Sequence, residues 1–420
     1  MYQVSTPTAV LRGHRRILSR RRAGTGVNRT VILLGLTSLF TDISSEMVVT
    51  VLPLYLVYVG NFSPLAFGVI DGLYNGATAI VRLASGYIGD RWRRHKEVAA
   101  TGYGLSAVCK LLLVGVGTAV SAIGAVVLLD RAGKGIRTAP RDAMISLSTP
   151  KEQLGASFGV HRAMDTVGAM LGPLIAFAML AVAPLAFDSI FLVSFCFALL
   201  GLGILVLLVN GRQKVQGAEA PERTPSLRGA FALVRIPRYR ALLIAGGALS
   251  LATASDAFVF LALQEKLDLG TSLFPLLFVG SAGTYMALAA PMGRLSDRVG
   301  RGRVFLAGYA LLLAVYLVLL APASGWLTLA VVLGLLGSYY AATDGVLMAL
   351  GSAVVPSEVR GSGLALLGTL TSVARLVASV AFGAVWTIVG LDAAFAVFGV
   401  ALVAAAALAA VALVRSPEPA

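Results

Sequence analysis

Charge and sulfur are both scarce in this 420-residue chain, and each scarcity closes a class of function. Asp, Glu, Lys and Arg make up 13% of the residues against 58% hydrophobic ones, whereas a soluble globular domain is about one-quarter charged. That deficit argues against a soluble protein of any kind and predicts burial in a bilayer. The two cysteines, Cys109 and Cys196, lie inside apolar segments, where thiols behave as small hydrophobes, so neither a disulfide framework nor a metal site follows from them. The three histidines are His14, His95 and His161, two of them in polar connections; they do not form the nucleophile, base or metal set that a membrane-embedded enzyme needs. No catalytic, cofactor-binding or metal-binding residues are expected, and an enzyme or sensor is a remote reading.

The formal charge of +14 does not point to nucleic acid, because the basic residues fall in the gaps between apolar runs. Arg12, Arg15, Arg16, Arg20, Arg21, Arg22 and Arg29 crowd the N-terminal tail, and further clusters run from Arg91 to Lys96, Arg212 to Arg240 and Arg294 to Arg303. The alternate connections, near Asn61, Thr118, Pro184, Pro322 and Gly390, carry almost no Lys or Arg. This bias places the tail and every second loop in the cytoplasm. The expectation is a multi-pass protein of the cell (inner) membrane, with both termini cytoplasmic and the lipid bilayer as its principal partner. The basic tail precedes a full-length apolar span without a small-residue cleavage site, so it is no cleavable signal peptide.

Apolar segments of about 20 residues cross the ~30 Å hydrocarbon core as helices, and twelve are expected: 30–58, 65–87, 97–117, 121–147, 155–182, 187–209, 240–263, 272–294, 303–321, 326–353, 361–388 and 391–414. The fold class is therefore all-α integral membrane, with a basic tail at 1–29, a six-helix bundle at 30–210, a polar linker at 211–237, a second six-helix bundle at 238–414 and a short tail at 415–420. The halves repeat. Gly86-Tyr-Ile-Gly-Asp90-Arg91 recurs 207 residues later as Gly293-Arg-Leu-Ser-Asp297-Arg298, while Gly102-Tyr103 and Pro150-Lys-Glu-Gln-Leu-Gly155 recur 206 residues later as Gly308-Tyr309 and Pro356-Ser-Glu-Val-Arg-Gly361. Duplicated halves around a central site are a recurring transporter plan, which predicts two pseudo-symmetric bundles.

With these landmarks the chain resembles the major facilitator superfamily over residues 30–414. The stretch Gly293 to Arg303, which includes Arg301, fits that family's signature Gly-x-x-x-Asp-Arg-x-Gly-Arg-x-Arg/Lys in full. The first copy keeps Gly86, Asp90, Arg91, Arg94 and Lys96 but has Arg93 where glycine is usual. The resemblance implies that Asp90 and Asp297 make cytoplasmic contacts that latch the two halves in an outward-facing state; topology determination alone is the plainer alternative. Gly168-Ala-Met-Leu-Gly172-Pro173 in the fifth segment is similar to the signature of drug:proton antiporters in the superfamily, which implies export. A close helix crossing needs much the same residues.

Charged groups at bilayer depth carry penalties of about 2.5 to 3.5 kcal/mol on insertion scales, so each needs a partner or a wet cavity. Asp130, Lys134, Arg137 and Arg141 in the fourth segment are spaced by four, three and four residues, which places them on one helix face turned to the protein interior. Arg131 and Asp142 accompany them, and Gly133-Lys-Gly135 lacks the rest of a phosphate-binding loop. By resemblance, Arg131 with these glycines corresponds loosely to the superfamily's fourth-helix arginine motif, associated with proton transfer. The fifth segment adds His161, Arg162 and Asp165, the third Lys110 and the second Asp71; Lys110 and Asp71 can each also be read as purely structural. In the second half the intramembrane charges are Asp256, Asp344 and Arg375, with Tyr339 and Tyr340 nearby.

Asp42 and Glu46 sit one turn apart in the first segment without a cation in their own helix. Each disfavours ionisation of the other, which makes Glu46, then Asp42, the expected proton-coupling site. Asp130 and Asp165, among cations, are expected to be structural partners. The fourth and fifth segments hold five Lys or Arg against three carboxylates; the surplus points to an anionic or zwitterionic substrate unless Asp42 and Glu46 absorb it. The function expected is a monomeric transporter that exports a small organic solute in exchange for protons. The alternative is an uptake symporter or facilitator for an organic anion.

Overall fold

The computed structural model describes residues 28–77, 94–150, 153–210, 233–356 and 359–414. In chain order the helices are α1 (Arg29–Leu54), α2 (64–77), α3 (His95–Gly115), α4 (Val120–Leu147), α5 (Leu154–Val182) and α6 (Phe187–Gly203), then α7 (Pro237–Leu251), α8 (Asp256–Leu267), α9 (Phe274–Val299), α10 (Arg301–Leu320), α11 (Trp326–Val354), α12 (Arg360–Val389) and α13 (Leu391–Val414). Among the described residues, ten spans are long and apolar enough to cross a membrane, α7 and α8 counting as one. Helix α4 falls outside that set because its charged stripe spoils an otherwise spanning length. Gly86, Asp90 and Arg91 lie outside the described residues.

The repeat read from sequence reappears as repeated packing. Helix α1 lies against α5 and α6, and α3 against α4 and α6; in the second half α7 lies against α12 and α13, and α10 against α11 and α13. The Gly-Tyr landmarks make the equivalent crossing in each half. A Cβ on Gly102 would stand 2.7 Å from the Gly133 carbonyl oxygen of α4, and one on Gly308 would stand 2.5 Å from Thr343 of α11. Without a hydrophobic force between helices in lipid, such close backbone approach supplies the packing attraction.

Two segments depart from the apolar pattern. The run 240–263 reads as one helix, but the helix stops at Leu251 and restarts at Asp256, because Ser255 takes an extended conformation (ψ 157°). The Tyr316 hydroxyl on α10 accepts from the freed Ala254 N–H (2.8 Å) and donates to the Ala252 carbonyl (3.4 Å), which meets the demand of an interrupted backbone at membrane depth. Helix α9 continues to Val299, past the expected end at 294, so Gly293, Asp297 and Arg298 lie in its last turns and not in a loop. Gly300, at φ 105°, makes the one-residue link to α10, a conformation that disfavours residues with a side chain.

The halves are joined at the end away from the Arg-rich helix termini. Three hydrogen bonds between described residues link them: Leu65 N–H to Thr387 Oγ1 (3.0 Å), Gln264 Nε2 to Tyr58 Oη (3.0 Å) and Ser379 Oγ to Asp71 Oδ2 (2.6 Å). Gly68, Gly72 and Gly76 recur every fourth residue along α2, where a Cβ on Gly68 would stand 2.5 Å from the Ser379 carbonyl oxygen and one on Gly72 2.8 Å from that of Leu376. Gly383 of α12 packs equally tightly on the Pro64 carbonyl. Phe258 seals this end, with ring centroids 5.0 Å from Phe67, 4.5 Å from Phe382 and 5.8 Å from Trp386. Gly68→Val is expected to wedge α2 from α12 and to destabilise the protein by about 1–3 kcal/mol, read as a lowered unfolding midpoint in detergent.

Candidate functional site

The charged face of α4 climbs the interior of the first half turn by turn. Nearest the Arg-rich end, Arg141 donates to Asp142 Oδ1 (3.0 Å) and Ser38 Oγ (3.2 Å), and stands 3.9 Å from Asp165. His161 shares a 3.0 Å hydrogen bond with the same Ser38. Arg162 reaches Asp165 at 3.8 Å, but its side chain is 81% exposed. One turn further, Arg137 stacks on the Tyr103 ring (4.8 Å) and lies 3.9 Å from Asp42. Asp130 is held by both Lys110 and Arg131 and accepts from Ser106 Oγ (2.5 Å), while Arg131 also covers the Tyr74 ring at 4.0 Å. Lys134 lies in this file with Asp42 and Glu46 as electrostatic neighbours.

Five buried or half-buried cations, Lys110, Arg131, Lys134, Arg137 and Arg141, therefore meet the five carboxylates Asp42, Glu46, Asp130, Asp142 and Asp165, while Arg162, which shares Asp165, stays in solvent. Asp42 and Glu46, which have no cation in their own helix, face cations presented by α4. The positive surplus counted over two segments is absorbed from α1, and with it goes the argument for an anionic substrate drawn from this face.

Glu46 marks the upper limit of the file and the floor of a cavity of about 240 Å³ between the halves. Gly168 and Gly172 put it there: a Cβ on Gly168 would stand 2.5 Å from the Leu39 carbonyl, and one on Gly172 2.8 Å from Glu46 Cβ. The string Gly168 to Pro173 thus builds the α1–α5 crossing that carries Glu46. From the first half the cavity is lined also by Asp71, Tyr74 and Asn75, and from the second by Thr253, Ser255, Asp256, Tyr340, Arg375 and Ser379. Asp71 and Asp256 were legible only as isolated intramembrane carboxylates, and no stripe or motif marked their meeting. Arg375 lines this cavity, whereas Asp344 is exposed near the Arg-rich end, 3.4 Å from Tyr285 Oη. Of the expected latch, Asp297 bonds Arg301 across the Gly300 turn (3.1 Å); Arg298 and Arg94 are exposed.

Residues 34–284 and 255–420 match the family model described as Major Facilitator Superfamily. The chain belongs to that superfamily. An uncharacterized MFS-type transporter of Methanocaldococcus jannaschii is 32% identical over 370 residues, 86% of this chain and 89% of the relative. An uncharacterized protein of Mycobacterium tuberculosis is 32% identical over 201 residues, 48% of each chain. Among solved structures the fold is shared with the nucleoside transporter NupG (TM-score 0.76, 15% identity, 92% of this chain and 100% of that one) and with the peptide transporter POT (TM-score 0.75, 15% identity, 94% and 96%). The matched superfamily, the M. jannaschii relative and the two solved structures are transporters, none an enzyme.

Removing one partner of a buried ion cluster leaves uncompensated charge and destabilises by about 3–5 kcal/mol. Asp130→Asn, which strands Lys110 and Arg131, is expected to lower stability by that amount in denaturant unfolding. Arg162→Gln, at an exposed position, is expected to stay within about 0.5 kcal/mol.

Proposed function

We propose that this superfamily member is a secondary active transporter that exports a small organic solute in exchange for protons, by alternating access between two six-helix bundles. The twelve-span count rests on the ten apolar spans together with α4, whose charges face inward, and the helix that begins at residue 64. The positive-inside bias supports an inner-membrane orientation with cytoplasmic termini. On that orientation the seam of α2 and α12 lies at the outer end, which supports reading the conformation as inward-facing, and Asp297 bonds locally to Arg301. A single chain supplies both walls of the cavity, in keeping with a monomer.

The observation that carries the coupling assignment is the position of Glu46. It lines the cavity, no described residue hydrogen-bonds or ion-pairs its side chain, and it adjoins the file that runs through Lys134, Asp42 and Arg137 toward the Arg-rich end. A carboxylate there can take a proton from the cavity while neighbouring cations adjust to its loss of charge. Export is supported by the similarity of Gly168 to Pro173 to the antiporter string, which here also performs a packing task. The fold neighbours that carry nucleosides and peptides support a small polar organic solute. With the α4 cations balanced, Arg375 is the cavity's remaining place for an acidic group.

Transport in proteoliposomes under an imposed pH gradient tests this, after a resistance screen of cells with and without the protein has supplied the solute. Glu46→Gln is expected to reduce proton-driven flux more than tenfold while leaving gradient-free solute exchange, with a smaller loss in Asp42→Asn. Full proton-driven flux in both variants would remove the coupling assignment. Net inward flux in right-side-out cells would favour uptake.

A further inference from the structure

We infer that Asp71 and Asp256, one from each half, form a shared site for a single ammonium group on the transported solute. This rests on the transport reading and deepens it, since the cavity is the same.

The two carboxylates belong to the two halves of the chain, on α2 and at the start of α8, and both line the 240 Å³ cavity. Each is oriented by a neutral hydroxyl: Ser379 Oγ donates to Asp71 Oδ2 (2.6 Å), and Tyr340 Oη donates to Asp256 Oδ1 (2.7 Å). Ser255 and Asn75 add further polar groups to the lining, both beside the Asp71 carboxylate. The two carboxylates interact electrostatically. Arg375 lines the same cavity but comes within 4.0 Å of neither carboxylate, and no Lys or Arg forms an ion pair with either among the described residues.

Charge balance then decides what the site takes. The cations of α3 and α4 are matched by their own five carboxylates, so they are committed elsewhere. Glu46 lines the same cavity and faces the α4 cations; the cavity's other charged groups, Asp71, Asp256 and Arg375, leave one net negative charge at membrane depth, where an uncompensated charge is strongly unfavourable. One positive charge closes the balance: a proton when the site is empty, an ammonium group when solute is bound. The cavity lies below the ~300–1,000 Å³ range of drug-sized pockets, and Phe67, Tyr74, Phe278 and Tyr340 give it an aromatic lining. A protonated amine on a small, partly apolar body fits that description.

The outer side of the seal carries the same chemistry. Phe67 also lines a second cavity of about 440 Å³, which holds Tyr58, Phe62 and Trp386 with Glu265 and Asp268, and no Lys or Arg among the described residues. A cation leaving Asp71 past Phe67 enters a space that is again acidic and aromatic, where cation–π contact is favourable.

The test is binding, which is independent of gradient and flux. Purified full-length protein is titrated with 2-phenylethylamine, its neutral twin 2-phenylethanol and its anionic twin phenylacetate, with thermal unfolding as the readout. A further arm exchanges KCl for NaCl. The amine alone is expected to raise the unfolding midpoint in a dose-dependent way, and Asp71→Asn and Asp256→Asn are each expected to weaken its apparent affinity at least tenfold. Equal stabilisation by either twin, or unchanged amine affinity in both asparagine variants, overturns the proposal. Sodium stabilisation that disappears in those variants also overturns it, since the site would then serve an inorganic cation. Where an asparagine variant does not purify as a single species, Ser379→Ala replaces it, with an expected loss of about threefold; unchanged affinity counts against the site. Amine binding at Asp71 and Asp256 without proton-driven flux would sink the coupling assignment alone, whereas proton-driven flux of a solute without amine binding would sink this site alone.

Discussion

Asp130 is shared by Lys110 and Arg131 in the middle of the first half, and the arrangement of that half follows from the need to keep such charges neutralised away from water. A carboxylate and two cations at this depth are tolerable only when hydrogen-bonded and paired, so α3 and α4 must cross where Gly102 and Gly133 allow backbone contact. Once α4 is fixed there, its next three turns present Lys134, Arg137 and Arg141, and each needs a counter-charge from α1, α4 or α5. Asp42 and Glu46 on α1, Asp142 on α4 and Asp165 on α5 answer that need. The glycines of α5 bring α1 close enough to do so. The first half is thus built around ionic balance, while the second half packs the same pairs of helices through tyrosine, phenylalanine and a broken helix.

Much of this was legible in the sequence, and the unread part has definite physical causes. Twelve spans are expected from apolar length and ten are long and apolar enough among the described residues, while the four, three, four spacing on α4 predicts an inward face, because lipid leaves a charged stripe nowhere else to point. The Gly102 and Gly308 landmarks predicted equivalence of the halves, and equivalent crossings are found at both. The break at Ala252 to Ser255 could not be read: its residues are small and moderately apolar, and the group that makes the break tolerable, Tyr316, comes from another helix. The end of α9 was missed because helix continuation past the bilayer surface leaves no hydropathy signal.

The candidate site divides along the same line. Charges that cluster within a helix announced themselves, whereas Asp71 and Asp256 are single acidic residues in different halves, 185 positions apart. Their meeting depends on how α2 crosses α12 and where α8 begins, which is tertiary information. The charge count over α4 and α5 left the surplus to an anionic substrate or to Asp42 and Glu46, and the fold brings those two carboxylates of α1 to the α4 cations.

The seam between α2 and α12 carries a kinetic consequence. Glycine on both sides means that the two helices meet backbone to backbone, with few interlocked side chains to withdraw when they part. Ordinary helix interfaces must free meshed rotamers before they separate, and that mesh sets a barrier. Here separation breaks a flat dispersion contact and a small number of polar links, among them the one between Ser379 and Asp71. In the proposed transport cycle this end therefore acts in the manner of a clasp: held shut by a local bond, and released when the carboxylate in that bond changes its partner.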